Sequence, residues 1–299
     1  MSLVLAALVS LASVAADSAA GVIVGVSGHV VIQGSSSSPQ PATLGMRLAP
    51  SDVVVVDRGA SASVYLKGGG VVRLSDATRF AVPKGTEAHD AGAKLKSGSI
   101  AQLENGLWVL NDPSGSLLVS PMRGDEGGDA PLPLTPRYEA LTETHATFGW
   151  TGGPPKARVV VAKKRDVVWR SDPAPPGTPV AAGSALALAP GEVYTWWLEP
   201  EAGGAPLTAG IPFRVAASDV LDRTRALEGE VGTIGGETAD YLRLAHYVGA
   251  GSWTHVVALA SPMPEGDARK RALAAAAQGL RLDERGAKAL AAQVAATKP

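Results

Sequence analysis

Residues 61–74 read Ser61-Ala62-Ser63-Val64-Tyr65-Leu66-Lys67-Gly68-Gly69-Gly70-Val71-Val72-Arg73-Leu74. Two runs rich in β-branched and apolar residues flank a Lys-Gly-Gly-Gly turn. Such side chains fit a pleated strand, and glycine supplies the positive φ that a tight reversal needs. The stretch predicts an antiparallel hairpin. The same signs recur outward from it. Val22, Val24 and Val26, then Val30 and Ile32, alternate with period two, as a strand does when one face enters a core. Val53 to Val56 is a continuous apolar run, which predicts a strand buried on both faces. Gly45, Gly59, Gly85, Gly98, Gly106 and Gly115 recur at short intervals. Short strands with frequent turns predict an all-β module over residues 22–122. Ser35-Ser36-Ser37-Ser38-Pro39 reads as a polar loop within it.

Composition sets the outer limits. The chain has 299 residues with 35 Gly, 22 Pro and no Cys. Gly and Pro together are roughly a fifth of the chain, against about an eighth in ordinary proteins. An apolar fraction of 45% with only 18% charged residues allows packed cores. Length alone suggests about two domains, and the turn chemistry favours several small ones. The lack of Cys excludes a disulfide framework, a thiolate metal site, a cysteine nucleophile and a lipid-modified cysteine. The net charge of −1 gives no global field that would attract nucleic acid.

Leu3 to Val14 is apolar and uncharged, and the small residues Ser13, Ala15 and Ala16 close it. The run is shorter than the ~20 apolar residues that span a bilayer. Residues 1–16 therefore read as a cleaved secretory signal peptide, although no Lys or Arg precedes the run. The expected location is periplasmic or secreted, with no transmembrane span after signal cleavage.

Within residues 22–122 a set of short motifs occurs in order. They are Gly28-His29-Val30-Val31-Ile32, Gly45-Met46-Arg47-Leu48-Ala49-Pro50-Ser51-Asp52-Val53, Ser61 to Gly68, and Val72-Arg73-Leu74-Ser75-Asp76-Ala77-Thr78. Leu95 to Ile100, Trp108-Val109-Leu110 and Gly115 to Val119 follow. This succession resembles the FecR domain family. Ser51 stands where the family pattern has Gly, and Lys67 where it has Asp. The resemblance implies an all-β extracytoplasmic module. In the best-known members it also implies a regulator that signals through a membrane helix to a sigma factor. The internal membrane helix and cytoplasmic helical domain of those members have no counterpart in these 299 residues.

Acids, Gly and Pro dominate residues 123–134, which read as a linker; its Arg123-Gly124-Asp125 triplet is a chance-level match to an adhesion motif. Residues 135–217 then read as a second β module. Candidate strands are Ala146–Trp150, Ala157–Ala162, Val167–Arg170, Ala185–Leu188, Val193–Leu198 and Ile211–Val215, with a charged hairpin turn at Lys163-Lys164-Arg165-Asp166. Leu188-Ala189-Pro190-Gly191-Glu192-Val193-Tyr194-Thr195-Trp196 resembles the Leu-x-Pro-Gly-x-x-Tyr-x-Trp segment of fibronectin type III and other immunoglobulin-like domains. The resemblance implies a β-sandwich in which the Tyr194 hydroxyl bonds upstream backbone. Trp150 and Trp196 are the expected core aromatics. Alternation then puts Trp197 on a face, as the candidate ligand contact.

Residues 218–296 change character. Proline is absent between Pro212 and Pro262, and Ala rises after Ala268. Ser218-Asp219 offers a helix start, Gly235-Gly236 and Gly249 to Gly251 offer breaks, and Pro262-Met263-Pro264 ends a further helix. Two Ala-rich helices are expected over 267–278 and 283–296. Tyr247, Gly251, Trp253 and Pro264 faintly resemble a tetratricopeptide unit, but no 34-residue period recurs. The fold class is thus multidomain and mainly β, with a FecR-like β module, an immunoglobulin-like β-sandwich and a C-terminal bundle of short helices.

Catalytic constellations are sparse. The histidines are His29, His89, His145, His246 and His255. His246 and His255 can meet near a helix turn, but two imidazoles without a third ligand make a poor zinc site. There is no Gly-x-Ser-x-Gly elbow and no phosphate-binding glycine loop. No catalytic, cofactor-binding or metal residues are assigned, and no cofactor is expected. The reading is a non-enzymatic exported protein that binds an envelope protein or cell-wall component as a regulatory or scaffolding module. A polysaccharide binder and a hydrolase with dispersed carboxylates are the rival readings.

Overall fold

In the computed structural model, which describes residues 19–34, 38–84, 92–95, 100–111 and 130–297, the chain divides into two units, Met1–Lys94 and Leu95–Pro299. The signal peptide read at 1–16, the Arg-Gly-Asp triplet, His89 and the motif Gly115–Val119 lie outside the described residues.

The first unit contains β1 (Gly21–Ser27), β2 (Val30–Gln33), β3 (Gln40–Pro41), β4 (Arg47–Leu48), β5 (Val53–Val56), β6 (Ser61–Leu66), β7 (Gly70–Ser75), β8 (Arg79–Ala81) and β9 (Gly92–Lys94). They form two antiparallel sheets, ordered β4-β1-β6-β7-β9 and β3-β2-β5-β8. The predicted hairpin is β6–β7, with Leu66 opposite Gly70 across the Lys-Gly-Gly turn. Ile23, Val30, Ile32, Leu48, Val54, Val64, Leu66, Val72 and Leu74 share one core. Each such side chain, fully buried, is worth roughly 1.5–3 kcal/mol over its exposed state. One expectation is corrected here. In β5 only Val54 and Val56 are buried, while Val53 and Val55 are half-buried. The strands buried on both faces are β1, from Gly21 to Gly25, and β6, from Ala62 to Leu66.

The second unit opens with a further correction. Residues read as the last strands of the β module form a helix, α1 (Ile100–Leu110). Leu103, Gly106, Leu107 and Leu110 make its buried stripe, at the i, i+3, i+4, i+7 spacing of a helix face. The stripe packs on α3, described below. The stretch read as linker also contains a strand, β10 (Leu132–Thr135). It is followed by β11 (Ala140–Leu141), β12 (Thr147–Thr151), β13 (Ala157–Lys163), β14 (Asp166–Arg170), β15 (Val180–Ala181), β16 (Val193–Pro200) and β17 (Ile211–Val215). A three-stranded sheet, β10-β12-β15, and a five-stranded sheet, β11-β17-β16-β13-β14, enclose one core. The pairing is antiparallel except between β11 and β17. The strand expected at Ala185–Leu188 is absent. A 3-10 turn covers Gly183–Ala185, and Leu186 and Leu188 enter the core without joining a ladder. Their alternation reflects burial alone.

Five helices complete the unit: α2 (Ser218–Ile234), α3 (Gly236–Ala250), α4 (Trp253–Ala260), α5 (Asp267–Gly279) and α6 (Glu284–Thr297). Ala217, not Ser218, is the N-cap of α2. Small residues set the spacing. A Cβ on Gly106 of α1 would lie 1.6 Å from the Ala245 carbonyl oxygen in α3, and one on Gly249 would lie 1.9 Å from the Gln102 carbonyl oxygen. The two backbones therefore touch, which only glycine permits. At the end of α5, Gly279 leaves room for the Trp253 indole, whose atoms would lie 2.1 Å from a Cβ there.

The corner between β10 and β11 fastens the sheets to the helices with matched charges. Arg137 donates from Nε to the Leu280 carbonyl (2.7 Å), just past the end of α5. Glu139 Oε2 accepts the Thr254 backbone N–H (2.9 Å), and Oε1 accepts the Thr254 hydroxyl (2.7 Å), in the first turn of α4. A cation at a helix C-terminus and an anion at an N-terminus are the favoured ends of the peptide dipole. Between them Tyr138 lies under the Arg281 guanidinium at 4.3 Å.

Candidate functional site

The expected core aromatics sit where alternation puts them. Trp150 and Trp196 are fully buried. Phe148 meets Trp196 edge-on (5.3 Å) and stacks on Trp169 (5.7 Å). The Trp196 indole N–H donates to the Pro136 carbonyl. Tyr194 stacks on Phe213, and its hydroxyl accepts the Ala189 N–H at 2.9 Å, five residues upstream. That bond holds the turn before β16 to the strand.

Along β16, Tyr194, Trp196 and Leu198 enter the core, so Thr195, Trp197 and Glu199 lie on the outer face. Trp197 is half-buried and donates its indole N–H to Glu199 Oε1 (3.1 Å). Glu199 in turn faces Arg170 of β14 (3.7 Å). Val160, on the same outer face, has Trp197 and Arg170 as its cross-strand neighbours and is fully buried. On the same face, Val167, opposite Ala162, and Val193, four residues before Trp197 on β16, are 40% and 55% exposed. The result is a fixed indole beside aliphatic surface, rimmed by Arg170, Glu199 and Arg158. An aromatic anchor in a polar rim is the composition of a contact patch.

A second cluster joins α2, α3 and α4. Glu228 accepts from Tyr247 Oη (2.8 Å) and Arg243 Nε (2.8 Å), and Arg243 also reaches Asp240 (3.0 Å). Burial and the Glu228 charge push the Tyr247 phenol up, while its bond to Glu228 pushes Arg243 up. Both therefore keep their protons. His255 stacks on Tyr247 at 4.6 Å, and His246 meets the same ring edge-on. The two histidines thus flank one tyrosine ring. Among the described residues no group of three or more His, Asp or Glu could hold a metal ion.

Ser252, His255 and Glu143 imitate a nucleophile, base and acid in order. Ser252 Oγ lies 3.0 Å from His255 Nδ1, and His255 Nε2 lies 3.9 Å from Glu143. Ser252 is fully buried at the start of α4, and the bond spans one helical turn. It fastens a helix end. Sequence reading missed one exposed pair, His29 Nδ1 and Asp57 Oδ2 at 2.7 Å, brought together by turns 28 residues apart. No local spacing signals it.

His246 is buried, with Nε2 on the Thr224 hydroxyl (3.0 Å) and Nδ1 without a partner among the described residues. Burial lowers its pKa from 6.5 to about 4. The unfolded chain therefore binds the proton more tightly, and stability falls as pH drops from 6.5 toward 4. The loss should approach roughly 3 kcal/mol at the lower end. Denaturant midpoints of His246→Gln and the parent chain, compared across that range, should converge on acidification; parallel curves would remove this role.

No protein-family model, no curated protein and no solved structure matches the chain. Among the described residues no helix is long and apolar enough to cross a membrane.

Proposed function

We propose that the chain is an exported, non-enzymatic protein of the cell envelope that binds a protein partner as a regulatory or scaffolding module. The observation that carries this is the outer face of the five-stranded sheet, where Trp197 is pinned by Glu199 on a face that also carries the exposed Val167 and Val193. The FecR-like reading of the first unit draws support from its motifs. Val30, Ile32, Leu48, Val64, Leu66, Val72 and Leu74 all serve its core. The immunoglobulin-like reading of the sheets in the second unit draws support from the three-plus-five strand order and the Tyr194 bond.

A photo-crosslinking amino acid at position 197, in cells, should yield a discrete protein adduct. The same probe at Lys67, in the β6–β7 turn, should not. Equal labelling at both positions, or none at 197, would overturn the proposal. The half-exposed indole also suits a sugar ring, which makes a cell-wall polysaccharide the second reading. Retention on purified peptidoglycan that is lost in Trp197→Ala would favour it over a protein partner.

A further inference from the structure

We propose that the outer face of the five-stranded sheet takes an acidic segment of a protein partner, with carboxylates on either side of an apolar stretch. This partner chemistry rests on the protein-binding reading above. Strand register sorts the charges between the two faces. β13 and β16 send Val159, Val161, Tyr194, Trp196 and Leu198 into the core, so Arg158, Trp197 and Glu199 point outward. In β17, Ile211, Phe213 and Val215 are inside, which leaves Arg214 outside, opposite Val193. Arg170 lies opposite the outward Val160, and Val167 opposite Ala162. Asp166 pairs with Lys163, in the inward register, and so belongs to the other face.

The acids of the outer face are matched from within. Glu199, its side chain only 15% exposed, gives one oxygen to the Trp197 indole and the other to Arg170. Glu201, just past the end of β16, faces Lys156 at 3.5 Å. Arginine is left in excess. Among the described residues, Arg158 donates only to the Glu201 backbone carbonyl (3.2 Å), and the exposed Arg214 guanidinium has no partner. This face therefore holds uncompensated positive charge in a chain whose net charge is −1.

The two free cations stand at opposite ends of an uncharged strip. From Arg158 on β13 to Arg214 on β17 the path crosses two strand spacings and runs from Glu199 back to Val193 along β16, on the order of 20 Å at the backbone. Trp197 and Thr195 lie midway, with the exposed Val193 beside them. An occupant that satisfies both arginines lays apolar side chains over the indole and puts a carboxylate at each end. That takes about six residues of extended chain or about 13 of helix. A nucleic acid carries a charge at every repeat, and the middle of this strip would leave those charges unmatched.

A photo-crosslinking residue at Val193, in cells, tests this, with mass spectrometry of the adduct to read the captured sequence. The segment should be a protein stretch with Asp or Glu at both ends of an apolar run. Arg214→Glu should cut the adduct yield about three- to tenfold, and Arg214→Lys should keep it, since the contact is an exposed charge pair. With the captured segment made as a synthetic peptide, fluorescence anisotropy against the purified chain should show the same loss. Exchanging the carboxylate at one end of the peptide for lysine should then restore binding to Arg214→Glu. The Arg214 side chain is exposed and unpartnered among the described residues, so circular dichroism should show the fold unchanged. No adduct at either 193 or 197 would overturn the protein-binding reading and this inference with it. A protein adduct with a neutral or basic captured segment, or with a yield indifferent to Arg214→Glu, would leave that reading standing and overturn the acidic partner alone. An adduct to nucleic acid, to polysaccharide or to a second copy of this chain would also overturn it.

Discussion

Alanine at Gly106 is expected to separate α1 from α3 and to destabilise the second unit by about 3 kcal/mol or more, as overpacking of a closed contact does. The sign is the informative part. Inside an exposed helix, Gly→Ala gains up to ~1 kcal/mol, because glycine is the poorer helix former. At Gly106 the added methyl would meet the Ala245 carbonyl at 1.6 Å, and this atom is backbone, unable to swing aside. Gly249→Ala should behave alike, since its methyl would meet the Gln102 carbonyl at 1.9 Å. Both substitutions remove the same contact, so the double variant should lose less than the sum of the singles. Gly229 and Gly232 in α2 have open space at the Cβ position, and alanine at either should stabilise. Denaturation followed by helical circular dichroism checks all four. Destabilisation at Gly106 no larger than at Gly229 would show that α1 does not rest on α3.

Glu139→Ala should cost about 2–4 kcal/mol, because it strips the acceptor from the half-buried Thr254 backbone N–H and leaves the Thr254 and Thr135 hydroxyls with only each other. Glu139→Gln keeps an acceptor for the Thr254 N–H, and its amide can donate to the threonine oxygens. It should stay within about 1 kcal/mol of the parent chain at neutral pH. The two forms should separate with pH. Burial raises the Glu139 pKa from 4.5, with the Thr254 bonds opposing that rise. The folded state therefore holds the carboxyl proton more tightly than the unfolded state. Its contribution is greatest below pH 4.5 and declines as pH rises through 4.5 toward the folded value. The stability of Glu139→Gln relative to the parent should thus improve from pH 4.5 upward. A difference that is flat with pH would mean that the α4 N-terminus and the threonines fully offset the burial. His246 acts with the opposite sign, so the two residues are best titrated in separate variants.

The hairpins and most of the C-terminal helices were legible in the sequence because their signals are local. Val71 to Leu74 answers Ser63 to Leu66 across three glycines, and Gly235, Gly251 and Pro262 stand close to where helices end. The α1 helix was harder to read. Ile100, Leu103, Leu107 and Leu110 do have helical spacing, but Asn105-Gly106 resembles a turn and Trp108-Val109-Leu110 a strand. Gly106 weakens the helix signal for a reason that lies 139 residues away, in the backbone of Ala245. The same holds at the β10–β11 corner. Arg137 and Glu139 are visible as charges, but their partners stand 143 and 115 residues further on. For the candidate face, alternation placed Trp197 outside and Trp196 inside. The Glu199 bond and the fully buried Val160 follow from strand register, which residue types do not specify.

The seat of α1 among later helices has a consequence in time. Its C-terminus is held by Arg271, which donates to the Leu110 carbonyl, and by Tyr241, which donates to Asn111. Those partners lie 161 and 130 residues downstream. A ribosome adds about 5–20 residues per second, so Leu103, Leu107 and Leu110 wait on the order of 10–30 s for the surfaces that cover them. During that interval the nascent chain carries an uncovered leucine stripe. The order in which its helices are written thus sets how long that stripe stays without the surface that covers it.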